Sequence, residues 1–261
     1  MSFVARNMPE SRFDLSLKDR ILIQIQKYFA WLALPLVYCL TVGCMRLYYQ
    51  YKIDDLQNIR KTFKALAREN RGRPLMICAN HLTKIDSLII MWALGSFWDY
   101  FFHFKTYAWN LPEKARFHHK LWMRIFCYLG CCIAISRGGD RDSVQNSLNK
   151  IVYLLKMGHV TMIFPEGKRS LTGKIDTSDF SYGVGRLVQK VKDANVLCVY
   201  LRGRTQTIQT DCPQKGDKFH LALEMIKPKS EAVGLRGAKD LATQIIHKLS
   251  MMEESYFVRW E

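Results

Sequence analysis

A series of short apolar runs, each rich in aromatic, β-branched or cysteine residues, constrains the fold of this chain more than any other feature. They are Leu75 to Ala79, His103 to Ala108, Cys131 to Ser136, Val160 to Phe164, Val196 to Leu201 and Phe219 to Ile226, and runs of this kind read as buried strands. Around and between them the pattern predicts helices over Asp54 to Asn70, Thr83 to Leu94, Pro112 to Tyr128, Arg141 to Met157, Gly183 to Lys192 and Gly237 to Met252. Strands alternating with helices imply an α/β fold: a mostly parallel central sheet covered by helices on both faces, with any site at the carboxyl ends of the strands. A chain of 261 residues accommodates one such domain and a short appendage. No fixed-period repeat and no Gly/Ser-rich linker divides it.

The appendage is amino-terminal. From Tyr28 to Met45 (YFAWLALPLVYCLTVGCM) the sequence carries no charge, a run of about 18 residues that just reaches the threshold for a spanning helix. At about 1.5 Å per residue it would extend roughly 27 Å, slightly less than a bilayer core. Both flanks are basic, with Arg6, Arg12, Lys18, Arg20 and Lys27 before it and Arg46, Lys52, Arg60 and Lys61 after it. A single span would leave one cluster on the wrong side. Pro35 in mid-run and the interfacial aromatics Trp31, Tyr38, Tyr48, Tyr49 and Tyr51 favour a bent hairpin or in-plane insertion into one leaflet. A cleavable secretory signal is disfavoured by the long polar lead and the lack of a small-residue cleavage site. The expected division is residues 1–51 as a helical membrane-anchoring segment and 52–261 as the α/β domain.

Lys and Arg number 39 against 23 Asp and Glu, a net charge of +16, which calls for an anionic partner: nucleic acid, a phospholipid surface or phosphorylated substrates. A nucleic-acid binder would interleave aromatic and basic residues on one surface or carry a reading motif, and none is present. The eight cysteines lie mostly inside apolar runs and read as reduced thiols facing the cytosol. A metal site built from His118, His119, Cys127, Cys131 and Cys132 lacks any C-x-x-C pair, so no metal is expected.

Three polar clusters follow apolar runs. In Asn80-His81-Leu82-Thr83-Lys84-Ile85-Asp86 the imidazole and carboxylate are five positions apart, about 500° of ideal helix, so they share no helical face. They meet only at a strand-to-helix junction, where Asp86 accepts from one ring nitrogen of His81 and leaves the other free as a base. This is the orienting half of a Ser/His/Asp triad, with the nucleophile left to a substrate hydroxyl. Phe164-Pro165-Glu166-Gly167-Lys168-Arg169-Ser170 combines an acid, a permissive glycine and two cations suited to an anionic head group. Ser136-Arg137-Gly138-Gly139-Asp140 sets an arginine at a strand end beside two glycines. A soluble Ser or Cys hydrolase would need a nucleophile elbow, and no G-x-S-x-G occurs.

In this order and at these intervals the clusters resemble the glycerolipid acyltransferases, the glycerol-3-phosphate and 1-acylglycerol-3-phosphate acyltransferase family. Asn80-His81-x4-Asp86 is similar to the family's His-x4-Asp block, Arg137 to its strand-end arginine, and Phe164 to Ser170 to its Pro-Glu-Gly-Thr-Arg block; Lys105 resembles a family lysine near the phosphate site. The likeness spans Leu75 to Leu201, about half the chain. It implies that His81 is the general base and Asp86 its orienter, and that Arg137, Glu166, Gly167, Lys168, Arg169 and Lys105 serve the acceptor. It also implies an acyl-CoA or acyl-carrier-protein donor, no cofactor, a lysophospholipid acceptor and a membrane-associated protein on the cytoplasmic face. Lys168 stands where the family has threonine, Ser181-Tyr182-Gly183 lacks a frequent lysine, and Val196 to Leu201 lacks a proline. These departures touch the head-group blocks, so glycerol 3-phosphate, another lysophospholipid or a lyso-aminolipid stands beside 1-acylglycerol 3-phosphate as acceptor. The aromatic stretch Leu88 to Phe104 reads as core more than as the wall of an acyl tunnel.

Overall fold

A computed structural model describes residues 15–117, 120–136 and 141–260. Helix α1 (Leu17–Gly43) runs on into a π-helical turn at Cys44–Tyr48, followed by β1 (Lys52–Ile53), α2 (Leu56–Glu69), β2 (Leu75–Ala79), α3 (Asp86–Leu94) and α4 (Phe97–Phe102). A 3₁₀ turn at Phe104–Thr106 leads to β3 (Trp109–Asn110), α5 (Lys114–Phe117), α6 (Leu121–Leu129), α7 (Arg141–Lys156), β4 (Thr161–Ile163), α8 (Gly183–Lys190), β5 (Asn195–Gly203), β6 (Lys218–Ile226) and α9 (Gly234–Trp260). The strands form one sheet in the order β1-β6-β5-β2-β4-β3. Every neighbouring pair is parallel except β5 and β6, which run antiparallel.

The expected mostly parallel sheet flanked by helices is therefore the fold. β2 and β5 are buried along their whole length, which is why they read as unbroken apolar runs. α9 turns Leu241, Ile245, Leu249 and Met252 inward at helical spacing and packs on β5 and α8. Its approach to α8 is backbone to backbone: a Cβ added at Gly185 would overlap the Ala238 carbonyl.

Three sequence readings change. His103 to Ala108 is a helical turn that leads into the short edge strand β3, not a strand. Cys131 to Ser136 meets the Asn110 to Lys114 segment only through isolated bridges at Cys132 and Ile135, with Asn110, Ile133, Lys114 and Ile135 exchanging backbone hydrogen bonds across it. The apolar amino-terminal run is not a hairpin, because one helix continues through Pro35.

α1 lies along the domain. Ile23, Gln26, Ala30, Leu34 and Val37 form its buried stripe, while Leu22, Ile25, Phe29, Leu32, Leu36 and Leu40 remain exposed. Its polar side chains supply donors to helix ends, whose last carbonyls lack partners within their own helices. Gln26 Nε2 donates to Tyr128 O and Cys132 O at the end of α6, at 3.0 and 3.1 Å. Trp31 Nε1 donates to Phe101 O in the last turn of α4 at 3.1 Å, and Tyr38 Oη to Gly95 O just past α3 at 2.9 Å. α1 thus shares the hydrophobic core with the sheet domain.

Candidate active site

The site lies where the topology places it, at the carboxyl ends of β2 and β4. Beyond β2 the chain must leave the sheet, and Asn80 pins that exit. Its side chain donates to Leu201 O (2.9 Å) and accepts from Leu201 N–H (2.7 Å) on β5. His81 follows on the entry turn and Asp86 opens α3, so the two side chains meet across the junction. His81 Nδ1 stands 3.0 Å from Asp86 Oδ2.

Asp86 is 2% exposed and is held from several directions. Oδ2 accepts the backbone N–H groups of Leu82 (2.7 Å) and Thr83 (2.8 Å), and Oδ1 accepts the Thr83 hydroxyl. Donors at a helix start hold such a carboxyl group in place, and an imidazole beside it has its ring orientation set. The His81 ring stacks on Phe164 with centroids 4.1 Å apart. Among the described residues His81 Nε2 has no hydrogen-bond partner.

The second cluster is sewn to the first. Glu166 Oε1 accepts the His81 backbone N–H at 2.8 Å, and Ser170 N–H donates to His81 O at 2.9 Å. Glu166 is 4% exposed. Burial, with Glu253, Asp86 and Asp176 adding like charge against the one favourable His81 amide, pushes its carboxyl up to about 8. Gly167 takes a left-handed φ of +72° and its N–H closes the turn onto Phe164 O at 3.0 Å. The backbone N–H groups of Lys168 and Arg169 have no acceptor among the described residues.

Both cations in this loop are paired. Lys168 bonds Asp179; Arg169 Nη1 reaches Asp211 Oδ1 and Thr210 O, each at 3.0 Å. Asp211 also bonds Lys84 at 2.6 Å, which ties the β5–β6 loop over the His81 turn. These carboxylates are largely exposed, and exposed pairs are worth about 0–1 kcal/mol, so a phosphate can displace them.

His81, Lys168 and Arg169 line one cavity of about 440 Å³ whose remaining wall is mainly apolar: Leu88 and Met91 of α3, Trp122 and Phe126 of α6, and Val37 of α1. Most of the Leu88 to Phe104 stretch is core, with Ile89, Ile90, Leu94 and Tyr100 fully buried. Glu166 and Gly167 line a neighbouring cavity of about 560 Å³ with Ser181 and Arg186.

The fold brings together His81, Asp86, Glu166, Gly167, Lys168 and Arg169 and leaves Lys105 apart. Lys105 precedes β3 at the amino end of the sheet, where its carbonyl accepts Val160 N–H and its Nζ donates to Met157 O at 3.0 Å. Arg137, like His118 and His119, lies outside the described residues. Sequence reasoning missed Asn80 as a clamp, Thr83 as a donor to Asp86, and Asp211. Thr83 had a local signal, a hydroxyl three residues before an acid at a helix start. Asp211 had none.

A protein-family model described as Acyltransferase matches residues 51–202, which takes in β1 to β4, nearly all of β5, and His81, Asp86, Glu166, Gly167, Lys168 and Arg169. No individual curated protein matches the chain.

Proposed function

The chain belongs to the glycerolipid acyltransferase family, and from that premise we propose that it moves a fatty acyl group from acyl-CoA or acyl-carrier protein to the free hydroxyl of 1-acylglycerol 3-phosphate, giving phosphatidic acid. The observation that carries this reading is His81: its ring is held by Asp86, its Nε2 has no partner among the described residues, and it stands on the wall of an apolar cavity that Lys168 and Arg169 also line.

His81 Nε2 takes the acceptor hydroxyl proton as that oxygen attacks the thioester carbonyl. Asp86 stabilises the imidazolium. The tetrahedral intermediate then expels the thiolate, which receives the proton back from His81, leaving an ester and a free thiol. The amides of Lys168 and Arg169 are better candidates for holding the oxyanion than that of Gly167, which is engaged within its turn. Arg169 and Lys168 receive the phosphate as Asp211 and Asp179 release them. Glu166 acts through the His81 backbone as a positioning residue.

Residues 1–51 act as the anchor and 52–261 as the acyltransferase domain, on the cytoplasmic face. The exposed apolar faces of α1, α4 and α6 lie in the plane of one leaflet. A helix bonded to the domain along its length supports an in-plane seat over a lone span, and the eight free cysteines suit a reducing compartment.

The test is transfer from labelled oleoyl-CoA by purified protein in vesicles, offered lysophosphatidic acid, glycerol 3-phosphate and several lysophospholipids, with His81→Ala in parallel. Product from lysophosphatidic acid, reduced roughly 10²-fold to 10⁴-fold by the substitution, is expected. Transfer only to another acceptor would move the head-group assignment, and a His81→Ala protein that keeps more than a few per cent of the activity would remove the general base.

A further inference from the structure

The amino end of the sheet carries a second and larger cavity, about 930 Å³ in volume, bounded by the starts of β2 and β4 at Leu75 and Val160. Lys27, Arg71, Arg73, Lys105 and Lys156 line it, and no Asp or Glu does. Among the described residues none of these cations forms an ion pair. Elsewhere the chain pairs its cations readily, as with Lys64 and Asp99, Lys150 and Asp19, and Lys227 and Asp193. The carbonyl ends of α2 and α7 point charge of the right sign at this place, and Lys105 donates to Met157 O just past α7. That accounts for a cation or two. It does not account for cations converging from four separate segments with no acid among them, since uncompensated like charge destabilises the compact state.

His159 adds an independent sign of a ligand. It lines the same cavity, is only 4% exposed, and its Nδ1 is buried with no hydrogen-bond partner. Burial, with Lys27 and Lys105 adding to it, drives its pKa down to about 4, so the ring is neutral among these cations and adds no charge of its own. An unsatisfied buried polar group is costly, and cations crowded around it admit an anion and repel a metal. The opposite wall is aromatic, with Tyr28 and Trp31 of α1 and Phe102 of α4. It continues outward into the exposed Phe29, Leu32 and Trp98. A charged recess that opens onto an apolar surface matches a molecule with a phosphate at one end and hydrocarbon at the other.

We propose that this recess binds the phosphate head group of an anionic phospholipid whose chains lie along α1 and α4, as a second lipid site at the opposite end of the sheet from His81. It gathers Lys105 and the otherwise unpaired charge of Arg71 and Arg73 into one function. The site is independent of the acyl-transfer reading.

The test is calorimetric titration of the full chain with dioctanoyl phosphatidic acid below its micellar concentration, beside dioctanoyl phosphatidylcholine and inorganic phosphate. Arg71→Gln/Arg73→Gln/Lys156→Gln is compared with Lys229→Gln/Arg236→Gln/Lys239→Gln, which removes equal charge from the segment before α9 and its first turns. The expected result is phosphatidic acid binding that weakens at least tenfold at one site in the first triple variant and persists there in the second, whether or not a further site is seen. Lys156→Glu alone, on an exposed helix end, should shift the same site in the same direction. The proposal is overturned if the first triple variant keeps the unaltered isotherm, or if both variants lose equally, which would mean diffuse attraction. Phosphatidylcholine or inorganic phosphate filling that site as tightly would overturn it too.

Discussion

The two ends of the sheet handle charge in opposite ways. At the carboxyl end Asp86 is answered by two amides, a hydroxyl and an imidazole, Lys168 by Asp179, and Arg169 and Lys84 by Asp211. At the amino end five cations face one cavity, and among the described residues no carboxylate lines it or forms an ion pair with them. The His81–Asp86 pair is held in place before any ligand arrives, as the proposed general base would require, because reorganisation during a reaction would add to the barrier. The amino-end arrangement is complete only when an anion supplies the missing charge.

The largest expected effect tests the rigidity of the carboxyl end. Asp86→Asn keeps the volume but presents an amide where an anion held the ring, and acyl transfer should fall by roughly 10² to 10³ with acceptor KM little changed. Rate assays on folded protein check it; a loss under tenfold would mean that the ring needs no orienter.

Glu166 comes next. Its carboxyl is raised from an ordinary value near 4.5 to about 8, so between those values the folded state holds a proton that the unfolded state has lost. Stability is full below about pH 4.5, falls as pH rises, and has lost this contribution above about pH 8. At about 1.4 kcal/mol per pKa unit the ceiling is roughly 5 kcal/mol. Glu166→Gln keeps an acceptor for the His81 amide and should flatten that decline, seen as urea-unfolding free energies that no longer drop from pH 6 to pH 8.

Arg169→Gln should raise the KM for a phosphate-bearing acceptor roughly tenfold, about 1.4 kcal/mol, and leave that for the acyl donor unchanged. An equal change in both would remove the head-group role. The smallest effect separates the two ends most directly. Neutralising Arg71, Arg73 and Lys156 together should stabilise the unliganded protein by roughly 0.5 kcal/mol through relieved repulsion, whereas removing Arg169 from its pair should give no such gain.

The sequence revealed what is decided locally. β2, β5 and β6 were legible because burial on both faces, or alternation over nine residues, leaves a period to read. The His81–Asp86 pair was legible because five residues and one junction contain it. β1 and β3 have two residues each, too few to show any period, and they exist only because β6 and β4 offer them an edge. Cys131 to Ser136 has strand composition, but at the sheet margin its partner is an irregular segment. At the site, the bond from His81 N–H to Glu166 and the bridge from Asp211 to both Lys84 and Arg169 join positions far apart in the chain. No spacing rule carries such pairings. Lys105 illustrates the converse: its residue type suits a phosphate, but the crossover between β2 and β3 delivers it to the other end of the sheet.

Val37 belongs both to the buried stripe of α1 and to the wall of the cavity that His81 lines. The element that would seat the protein in lipid is therefore also one side of the reaction vessel. Under the proposed function, an acyl chain entering past α1 would not have to cross open water to reach His81. Cutting the chain after Tyr51 would leave the carbonyl ends of three helices bare and the chamber beside His81 open along one flank, so turnover should be lost even where the shortened protein no longer sediments with vesicles.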